Sequence, residues 1–324
     1  MLKKDLVIVG GGPAGMAAAI SAYKNGIKDI LLLERDQYLG GILNQCVHTG
    51  FGLDYFKQIL TGPEYAQRFI SEITRHPEIE ISLRSFVVHL TQDKVITFLK
   101  PGLLQRIKAK ALIMATGCRE KTREMVHIAG TRPAGVFSAG LAQKLINIEG
   151  LLPGKKVVIV GSGDIGLIMA RRFVLEGSEV KAVIEIQKTS RGLLRNMVQC
   201  IDDFGTPMFY RHKIAKIYGN KRVEKVSVVK VDDNLKAIPG SEFQIECDTV
   251  LVSVGLIPEN ELIEMAGVQI DKKTNCPVSE ELNKISIPGI FVCGNSLKVY
   301  DIVDAVSRDS EIAGELAAAY LKKV

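Results

Sequence analysis

The sequence contains one glycine pattern twice, and this duplication constrains the fold more than any other feature. The pattern Gly-x-Gly-x-x-Gly follows a short apolar run at residues 10–15 and again at residues 161–166. In each copy the next apolar run ends in an acid, Glu34 or Glu185, at the same spacing from the last glycine. A strand, a glycine turn, a helix and an acid in this order are typical of a βαβ dinucleotide-binding unit. The sequence therefore predicts two such units.

Each glycine of the pattern has its own physical role. Gly10 must adopt a positive φ at the turn, which a side chain would resist. Gly12 lets the backbone approach a pyrophosphate, and Gly15 lets the helix pack closely on the strand. The helix N-terminus offers unpaired N–H groups to the phosphates, and Glu34 accepts hydrogen bonds from ribose hydroxyls. The second copy predicts the same roles for Gly161, Gly163, Gly166 and Glu185.

One residue of the second copy, Asp164, does not suit a phosphate site. A carboxylate in the first turn of a helix interacts favourably with the helix dipole, but it repels a pyrophosphate at the same place. We favour a side chain that points sideways, which leaves the site able to bind a nucleotide. The alternative is a second unit that has lost or weakened its nucleotide and serves as a docking surface.

The choice of nicotinamide nucleotide depends on the residues around the second acid. Glu185 is expected to bond the ribose 2′-hydroxyl of NAD(H) and to repel the 2′-phosphate of NADP(H). Lys188, Arg191 and Arg195 lie just beyond it and either offset that repulsion or form an ordinary solvated loop. On balance the sequence favours NAD(H).

Length and composition exclude several other classes of protein. The 324 residues suit two domains, and 47% apolar with 24% charged residues is typical of a globular protein. The net charge of +6 is modest and the aromatic residues do not interleave with basic clusters, so nucleic acid is not an expected partner. No apolar run is long enough to cross a bilayer. Gly10 interrupts the first apolar run, which predicts a strand rather than a signal peptide and hence a cytoplasmic protein.

The six cysteines lie far apart, and none belongs to a Cys-x-x-Cys pair. This spacing predicts neither a dithiol centre nor a zinc or iron–sulfur site, so no metal is expected. Cys46 and His48 follow the Gly40-Gly41 turn, where they would contact a bound ligand or simply pack. Cys46 is the one candidate catalytic residue.

Three further apolar runs are predicted strands that end at a glycine: residues 111–116 before Gly117, 249–254 before Gly255 and 290–293 before Gly294. Such runs are typical of buried parallel strands, whose carboxyl ends face ligands in open α/β sheets. The predicted fold is α/β, with two Rossmann-like dinucleotide-binding domains, the second inserted into the first. The predicted domains are residues 1–118 with 256–324, and residues 119–255.

Other segments fill in the first domain. Helices are predicted from Pro13 to about Asn25 and from Pro63 to about Arg75. The β-rich runs at 79–90 and 94–99 predict a small meander after the first βαβ unit. Apolar residues at helical spacing from Ile302 to Leu321 predict a helix that closes the domain.

These motifs together resemble the two-dinucleotide flavoproteins of the pyridine-nucleotide-disulfide oxidoreductase superfamily, at the size of thioredoxin reductase. The resemblance covers essentially the whole chain and rests on residues 10–15 with Glu34, 40–41, 115–117, 161–166 with Glu185, 255–258 and 291–295. It implies that the first domain binds FAD, that the second binds a nicotinamide nucleotide, and that hydride passes from nicotinamide to flavin.

Two departures from the superfamily affect the expected function. Asn295 stands where an aspartate usually holds a ribityl hydroxyl, so the hydrogen bond is retained without the charge. The cysteine pair of the disulfide reductases is missing, since Cys46 is alone after the glycine turn and residues 119–160 contain no cysteine. Disulfide reduction is therefore not expected.

A closer resemblance comes from residues 41–52, 115–120, 161–166 and 293–295. These look like the flavoprotein subunits that accompany a glycerol-3-phosphate-dehydrogenase-like partner, whose relatives are the larger subunits of opine oxidase and hydrogen cyanide synthase. The resemblance implies a partner dehydrogenase subunit of this or another type. An iron–sulfur centre, where present, would belong to a further subunit.

The expected function is thus an FAD-dependent oxidoreductase that exchanges hydride with NAD(P)(H), as one subunit of a dehydrogenase of the glycerol-3-phosphate or amine and amino-acid type. The alternative is an electron-transfer subunit whose second domain no longer binds nucleotide. The predicted FAD-binding residues are Gly10, Gly12, Pro13, Ala14, Gly15, Glu34, Arg35, Gly41, Ile42, Val87, Ala115, Thr116, Gly117, Gly294, Asn295, Ile302 and Val303. The predicted NAD(P)-binding residues are Gly161, Gly163, Asp164, Ile165, Gly166, Glu185 and Gly255.

Overall fold

A computed structural model describes residues 1–279 and 283–324. The helices are α1 Pro13–Lys24, α2 Gly62–Ile73, α3 Ala139–Asn147, α4 Asp164–Leu175, α5 Leu194–Cys200, α6 Glu261–Met265 and α7 Val303–Leu321. The strands of the first half are β1 Leu2–Val9, β2 Ile30–Leu33, β3 Thr49–Phe51, β4 Leu60–Thr61, β5 Ile79–Ser82, β6 Phe86–Leu90, β7 Val95–Lys100, β8 Leu103–Met114, β9 Cys118–Glu120 and β10 Ala129–Gly130. The remaining strands are β11 Val136–Ser138, β12 Lys156–Val160, β13 Glu179–Glu185, β14 Met208–Tyr210, β15 His212–Gly219, β16 Val223–Lys230, β17 Phe243–Glu246, β18 Thr249–Val252, β19 Leu256–Pro258 and β20 Ile290–Val292.

The chain divides into two compact units. Unit 1 comprises Met1–Arg119 and Ile257–Val324, and unit 2 comprises Glu120–Leu256. In each unit a strand of a parallel sheet leads into a helix through a glycine-rich turn, and the predicted α/β fold is confirmed.

The main sheet of unit 1 has the strand order β5-β2-β1-β8-β7-β6, and β20 also pairs with β8. The strands β5, β2, β1, β8 and β20 run parallel, while β6, β7 and β8 form an antiparallel meander. The long strand β8 pairs its first half with β7 and its last residues with β20. The parallel part of the sheet packs against α1, α2 and α7 on one face and against β6, β7 and α6 on the other.

Small residues allow α1 and α7 to pack closely. The buried face of α1 is rich in alanine, including Ala17, Ala18 and Ala22. A Cβ added at Gly314 of α7 would lie 2.4 Å from the carbonyl oxygen of Ala18, so only glycine fits there. The Ser21 hydroxyl on α1 donates to the α7 carbonyl of Glu311 at 2.7 Å. This packing fixes the start of α7 relative to the first glycine turn.

Unit 2 is built around a five-stranded parallel sheet of order β11-β18-β12-β13-β14. The helices α3 and α4 pack their apolar side chains on one face. The four-stranded sheet β10-β15-β16-β17 packs on the other, so Ile184 of β13 lies in one core with Ile217 and Val226.

Three local predictions are wrong in detail. Residues 79–90 do not belong as a whole to the meander, because α2 forms a crossover that places β5 beside β2, with Ile79 opposite Ile30. The last helix begins at Val303, and Ile302 is its extended N-cap residue. The apolar run at Thr249 ends its strand at Val252 rather than at Val254.

Candidate dinucleotide sites

The first and third glycines of unit 1 are required by the packing of the protein itself. Gly10 has a φ of +110°, and a Cβ there would lie 2.3 Å from the carbonyl oxygen of Ala115 at the end of β8. A Cβ at Gly15 would lie 1.8 Å from the carbonyl oxygen of Gly10. The turn can therefore form only with glycine at both positions.

Unit 2 repeats this arrangement with different neighbours. Gly161 has a φ of +97°, and its added Cβ would lie 2.0 Å from the carbonyl oxygen of Ser253. At Gly166 the added Cβ would lie 2.5 Å from the carbonyl oxygen of Gly161. The two turns are thus built by the same contacts.

At the middle positions, Gly12 and Gly163, neither packing nor backbone conformation in the described protein requires a glycine. Their φ angles, −75° and −69°, are open to any residue. A Cβ at Gly12 would meet only the Cα of Gly41, at 4.0 Å, and a Cβ at Gly163 would meet no atom within 4 Å. Both residues are N-caps, and neither α1 nor α4 has a side-chain cap on its first N–H groups. Open space beside unpaired N–H groups fits a pyrophosphate in each unit.

The two acidic residues hold the glycine turns in shape. One carboxylate oxygen of Glu34 accepts the N–H of Gly11 at 2.6 Å, and one of Glu185 accepts the N–H and the hydroxyl of Ser162 at 2.9 and 2.6 Å. The other oxygen of each accepts the N–H two residues further on, at 2.8 and 2.7 Å. Both side chains are only 5% exposed. A carboxylate oxygen has more than one lone pair, so each acid keeps acceptor capacity for a ribose hydroxyl.

The other predicted FAD residues of unit 1 gather at the carboxyl ends of neighbouring strands. Ala115, Thr116 and Gly117 follow β8, and Gly294 and Asn295 follow β20, which pairs with β8. Parallel strands that pair in register end at the same edge of the sheet, which is where ligands bind in such folds. Pro13 and Ala14 form the first turn of α1 at this edge, and Gly41 begins the short 3₁₀ helix opposite Gly12.

The five remaining predicted FAD residues, Arg35, Ile42, Val87, Ile302 and Val303, differ in exposure. Arg35 and Ile42 are exposed, and Ile302 is about half exposed at the N-cap of α7, beside Val303. Val87 lies in β6 and is buried in the apolar core of the meander.

The Asn295 side chain has protein partners on both sides of its amide. Its oxygen accepts the N–H of Tyr300 at 3.1 Å, and its nitrogen donates to the Cys118 sulfur at 3.4 Å. These contacts fix the side chain at the edge where β8 and β20 end. A neutral amide can form them together, whereas a carboxylate has no N–H to donate.

A functional feature that the sequence did not indicate is the buried carboxylate of Asp304, in the first turn of α7. It is 5% exposed and accepts three main-chain N–H groups, from Gly52 at 3.0 Å, Asp54 at 2.7 Å and Tyr55 at 3.2 Å. The carboxylate therefore anchors residues 52–55, which follow the Gly40-Gly41 turn, and it does not cap its own helix. An aspartate at a helix start is usually a solvated residue, so no sequence signal marked it.

Further bonds strengthen this anchor. The Tyr65 hydroxyl lies 2.8 Å from that of Ser307 on α7, and the Tyr55 hydroxyl donates to Glu311 on the same helix. Burial raises the pKa of both tyrosines, so both hydroxyls stay protonated. Hydrogen bonds from α7 thus hold the segment between the Gly40-Gly41 turn and α2, together with Tyr65 of α2.

Cys46 lies in surroundings that do not favour nucleophilic catalysis. Its side chain is 5% exposed, and its thiol lies 3.3 Å from the carbonyl oxygen of Ile42. Burial raises the pKa of the Cys46 thiol to about 12, which keeps it protonated at neutral pH. The Nδ1 atom of His48 lies 3.1 Å from the carbonyl oxygen of Thr49. Cys293 is fully buried, and burial raises its pKa to about 12 as well.

In unit 2 the carboxylate of Asp164 is turned toward a neighbouring segment. One of its oxygens accepts the N–H of Leu193 at 2.8 Å and the side-chain amide of Asn196 at 2.6 Å. Ile165 and Gly166 continue the first turn of α4, and Gly255 has a φ of +111° just beyond β18. These residues lie at the carboxyl ends of β12 and β18, which pair in parallel.

A family model described as pyridine nucleotide-disulphide oxidoreductase matches residues 4–308. The chain belongs to this family. This match confirms the superfamily predicted from the motifs. Among the described residues, no helix is both long enough and apolar enough to span a membrane.

Similar curated proteins include an opine oxidase component of Agrobacterium tumefaciens, which is 26% identical over 97% of this chain and 64% of its own length. The HcnB component of hydrogen cyanide synthase from Pseudomonas protegens is 26% identical over 81% of this chain and 59% of its own length. The chain spans about three fifths of the length of these relatives.

Solved structures show the same fold at lower identity. Thioredoxin reductase of T. acidophilum superposes with a TM-score of 0.76 at 23% identity, over 100% of this chain and 99% of that one. Thioredoxin reductase of Lactococcus lactis superposes with a TM-score of 0.79 at 18% identity, over 99% and 100% of the two chains.

Proposed function

We propose that this chain is a dehydrogenase subunit in which hydride passes between NAD(H), bound by unit 2, and FAD, bound by unit 1. The observation that carries the proposal is the freedom around Gly12 and Gly163. Packing and backbone conformation demand glycine on either side of them but not at these two positions. A dinucleotide that approaches the backbone closely would explain why glycine occurs at both positions.

In unit 1 the N–H groups at the start of α1 would hold the FAD pyrophosphate, and Glu34 would hold the adenosine ribose. When bound, FAD supplies the redox chemistry, because its ring accepts and releases a hydride equivalent. The start of α7 has no side-chain cap, and its free N–H groups would stabilise negative charge on a reduced ring. Asn295 would bond the ribityl chain.

In unit 2 the arrangement favours NAD(H) over NADP(H). The Glu185 carboxylate would accept a bond from the ribose 2′-hydroxyl and repel a 2′-phosphate. Lys188, which would attract that phosphate, lies 2.9 Å from the carboxylate of Asp233. Asp233 also binds Arg211 at 2.8 Å. These ion pairs reduce the positive charge available beside Glu185.

Disulfide reduction is not part of the proposed function. The Cys46 thiol is buried, and burial raises its pKa to about 12, so it stays protonated at neutral pH. Because solved structures of this fold include disulfide reductases, a direct assay is needed. Neither the wild type nor Cys46→Ser should reduce a small disulfide with NADH, and turnover that Cys46→Ser abolishes would contradict the proposal.

We further propose that the chain works within a multi-subunit dehydrogenase, together with an iron–sulfur subunit. Its other partner would be a glycerol-3-phosphate-dehydrogenase-like or other dehydrogenase subunit. Two similar proteins carry the word subunit in their names, one from opine oxidase and one, HcnB, from hydrogen cyanide synthase. Residues 42–59 of unit 1 also expose four large apolar side chains, those of Ile42, Val47, Leu53 and Ile59. Exposed apolar surface of this kind is typical of protein interfaces.

The experiment that tests the proposal separates the two units. Gly163→Ala should keep its flavin but lose rapid reduction by NADH, because the added Cβ meets no protein atom within 4 Å and fills space that a pyrophosphate would occupy. Dithionite should still reduce its flavin, which controls for an intact unit 1. Reduction by NADH at the wild-type rate would contradict the proposal and favour a second unit that serves only as a docking surface.

A further inference from the structure

The segment between β13 and α5, residues 186–193, folds back over the glycine turn of unit 2. The N–H of Gly192 and the hydroxyl of Ser190 both donate to the carbonyl oxygen of Ser162, at 3.0 and 2.8 Å. A Cβ added at Gly192 would lie 2.4 Å from the Leu167 side chain on α4. The segment is therefore packed directly on the glycine turn and the first part of α4.

Asp164 binds the C-terminal end of this segment, at Leu193. Its Oδ1 atom accepts from the N–H of Leu193 at 2.8 Å and from the side-chain nitrogen of Asn196 at 2.6 Å. Asn196 is 8% exposed, so solvent does not easily replace this contact. Hydrogen bonds to a charged acceptor are stronger than those between neutral groups. One residue of the glycine turn thus determines where α5 begins.

Three basic residues follow Glu185 along the chain: Lys188 and Arg191 in this segment, and Arg195 in α5. Lys188 forms an ion pair with Asp233, but the structure gives no ion pair to Arg191 or Arg195 within the residues it describes. Both arginines are exposed, and they flank the point where Asp164 holds the chain. Their guanidinium groups are therefore free to meet an anionic or hydroxylated ligand group.

We propose that Asp164 is a positioning residue that sets how unit 2 recognises the adenosine ribose of its nicotinamide nucleotide. It fixes residues 186–196 before the nucleotide binds and so determines where Arg191 and Arg195 stand relative to Glu185. A segment that is already ordered loses less conformational entropy on binding. This inference depends on the proposed function, because it requires unit 2 to bind a dinucleotide.

The test compares Asp164→Ala with Asp164→Asn in the flavin-bound protein. The asparagine oxygen can accept the same two hydrogen bonds without a charge, whereas alanine can accept neither. Asp164→Ala loses both charge-assisted bonds, so it should weaken NADH binding by about tenfold and should change the ratio of NADH to NADPH affinity. Asp164→Asn should restore both affinities to within about twofold of wild type.

A second measurement reads the segment itself. Amide hydrogen exchange of residues 186–196, measured without nucleotide, should accelerate in Asp164→Ala and not in Asp164→Asn. Tighter nucleotide binding by both variants would overturn the inference, because it would mean that the carboxylate only repels the pyrophosphate. Unchanged affinities and exchange in Asp164→Ala would also overturn it. If the wild type binds neither NADH nor NADPH, both the proposed function and this inference fail. If the wild type binds NADH and Asp164→Ala binds it equally well, only this inference fails.

Discussion

Replacing Gly12 and Gly15 by alanine separates a glycine that a ligand requires from one that the fold requires. At Gly15 the new Cβ would lie 1.8 Å from a carbonyl oxygen, and the backbone must shift to relieve the overlap. Overpacking of this kind costs about 1–3 kcal/mol or more. At Gly12 the nearest atom lies 4.0 Å away and φ is ordinary, so the cost should stay within about 0.5 kcal/mol.

Although Gly12→Ala should be the more stable of the two variants, it should still lose FAD affinity. The methyl group of Gly12→Ala would enter the space of the pyrophosphate and displace it from the N–H groups of α1. Each bond to a charged phosphate contributes roughly 1.5–3 kcal/mol, so loss of two weakens FAD binding at least about a hundredfold. The variant should fold normally and be nearly colourless.

Two assays decide this prediction. Thermal unfolding of flavin-free protein should place Gly12→Ala within about 2 °C of wild type and Gly15→Ala several degrees lower. Titration with FAD, followed by flavin fluorescence, should show the loss of affinity in Gly12→Ala. The reasoning is refuted if Gly12→Ala binds FAD as tightly as wild type, or if it is destabilised as much as Gly15→Ala.

Two further predictions concern an acid and a buried thiol. Glu185→Ala should lower NADH affinity by about one to two orders of magnitude, because it removes a charged hydrogen bond. It should lower NADPH affinity by less, because it also removes the repulsion of a 2′-phosphate. An unchanged ratio of NADH to NADPH affinity in binding titrations would refute the role of Glu185. Burial raises the pKa of the Cys293 thiol to about 12, so the unfolded thiol, with a pKa of roughly 8.5, ionises first as pH rises. The stability that this thiol contributes is complete below about pH 8.5 and is lost toward the folded pKa, so denaturant titrations of Cys293→Ala between about pH 9 and 11 should show a slope smaller by up to about 1.4 kcal/mol per pH unit. Identical slopes would show that Cys293 is not held protonated.

The turns could be predicted from sequence because their chemistry is local. Gly10 and Gly15 are fixed by contacts within one βαβ unit, so the spacing of the glycines and of Glu34 carries the whole geometry. The second unit repeats the same local contacts, and its fold was predicted for the same reason. The family follows from those motifs and is confirmed by the comparison with known proteins.

The missed features depend on contacts between residues far apart in sequence. Asp304 bonds a segment some 250 residues earlier, and no local pattern marks such a pairing. The placement of β5 was wrong because its short run suits either a meander or a parallel sheet, and only the crossover through α2 decides between them. The direction of the Asp164 side chain likewise depends on Leu193 and Asn196.

Anaerobic titration of the flavin-bound wild type with NADH and NADPH tests the central claim most directly. If unit 2 binds NAD(H) and unit 1 binds FAD, NADH should bleach the flavin absorbance rapidly and at a lower concentration than NADPH. Reduction by NADPH in preference would show that the basic residues beyond Glu185 outweigh it. If neither nucleotide reduces the flavin, even with partner subunits present, hydride transfer between the two units is contradicted.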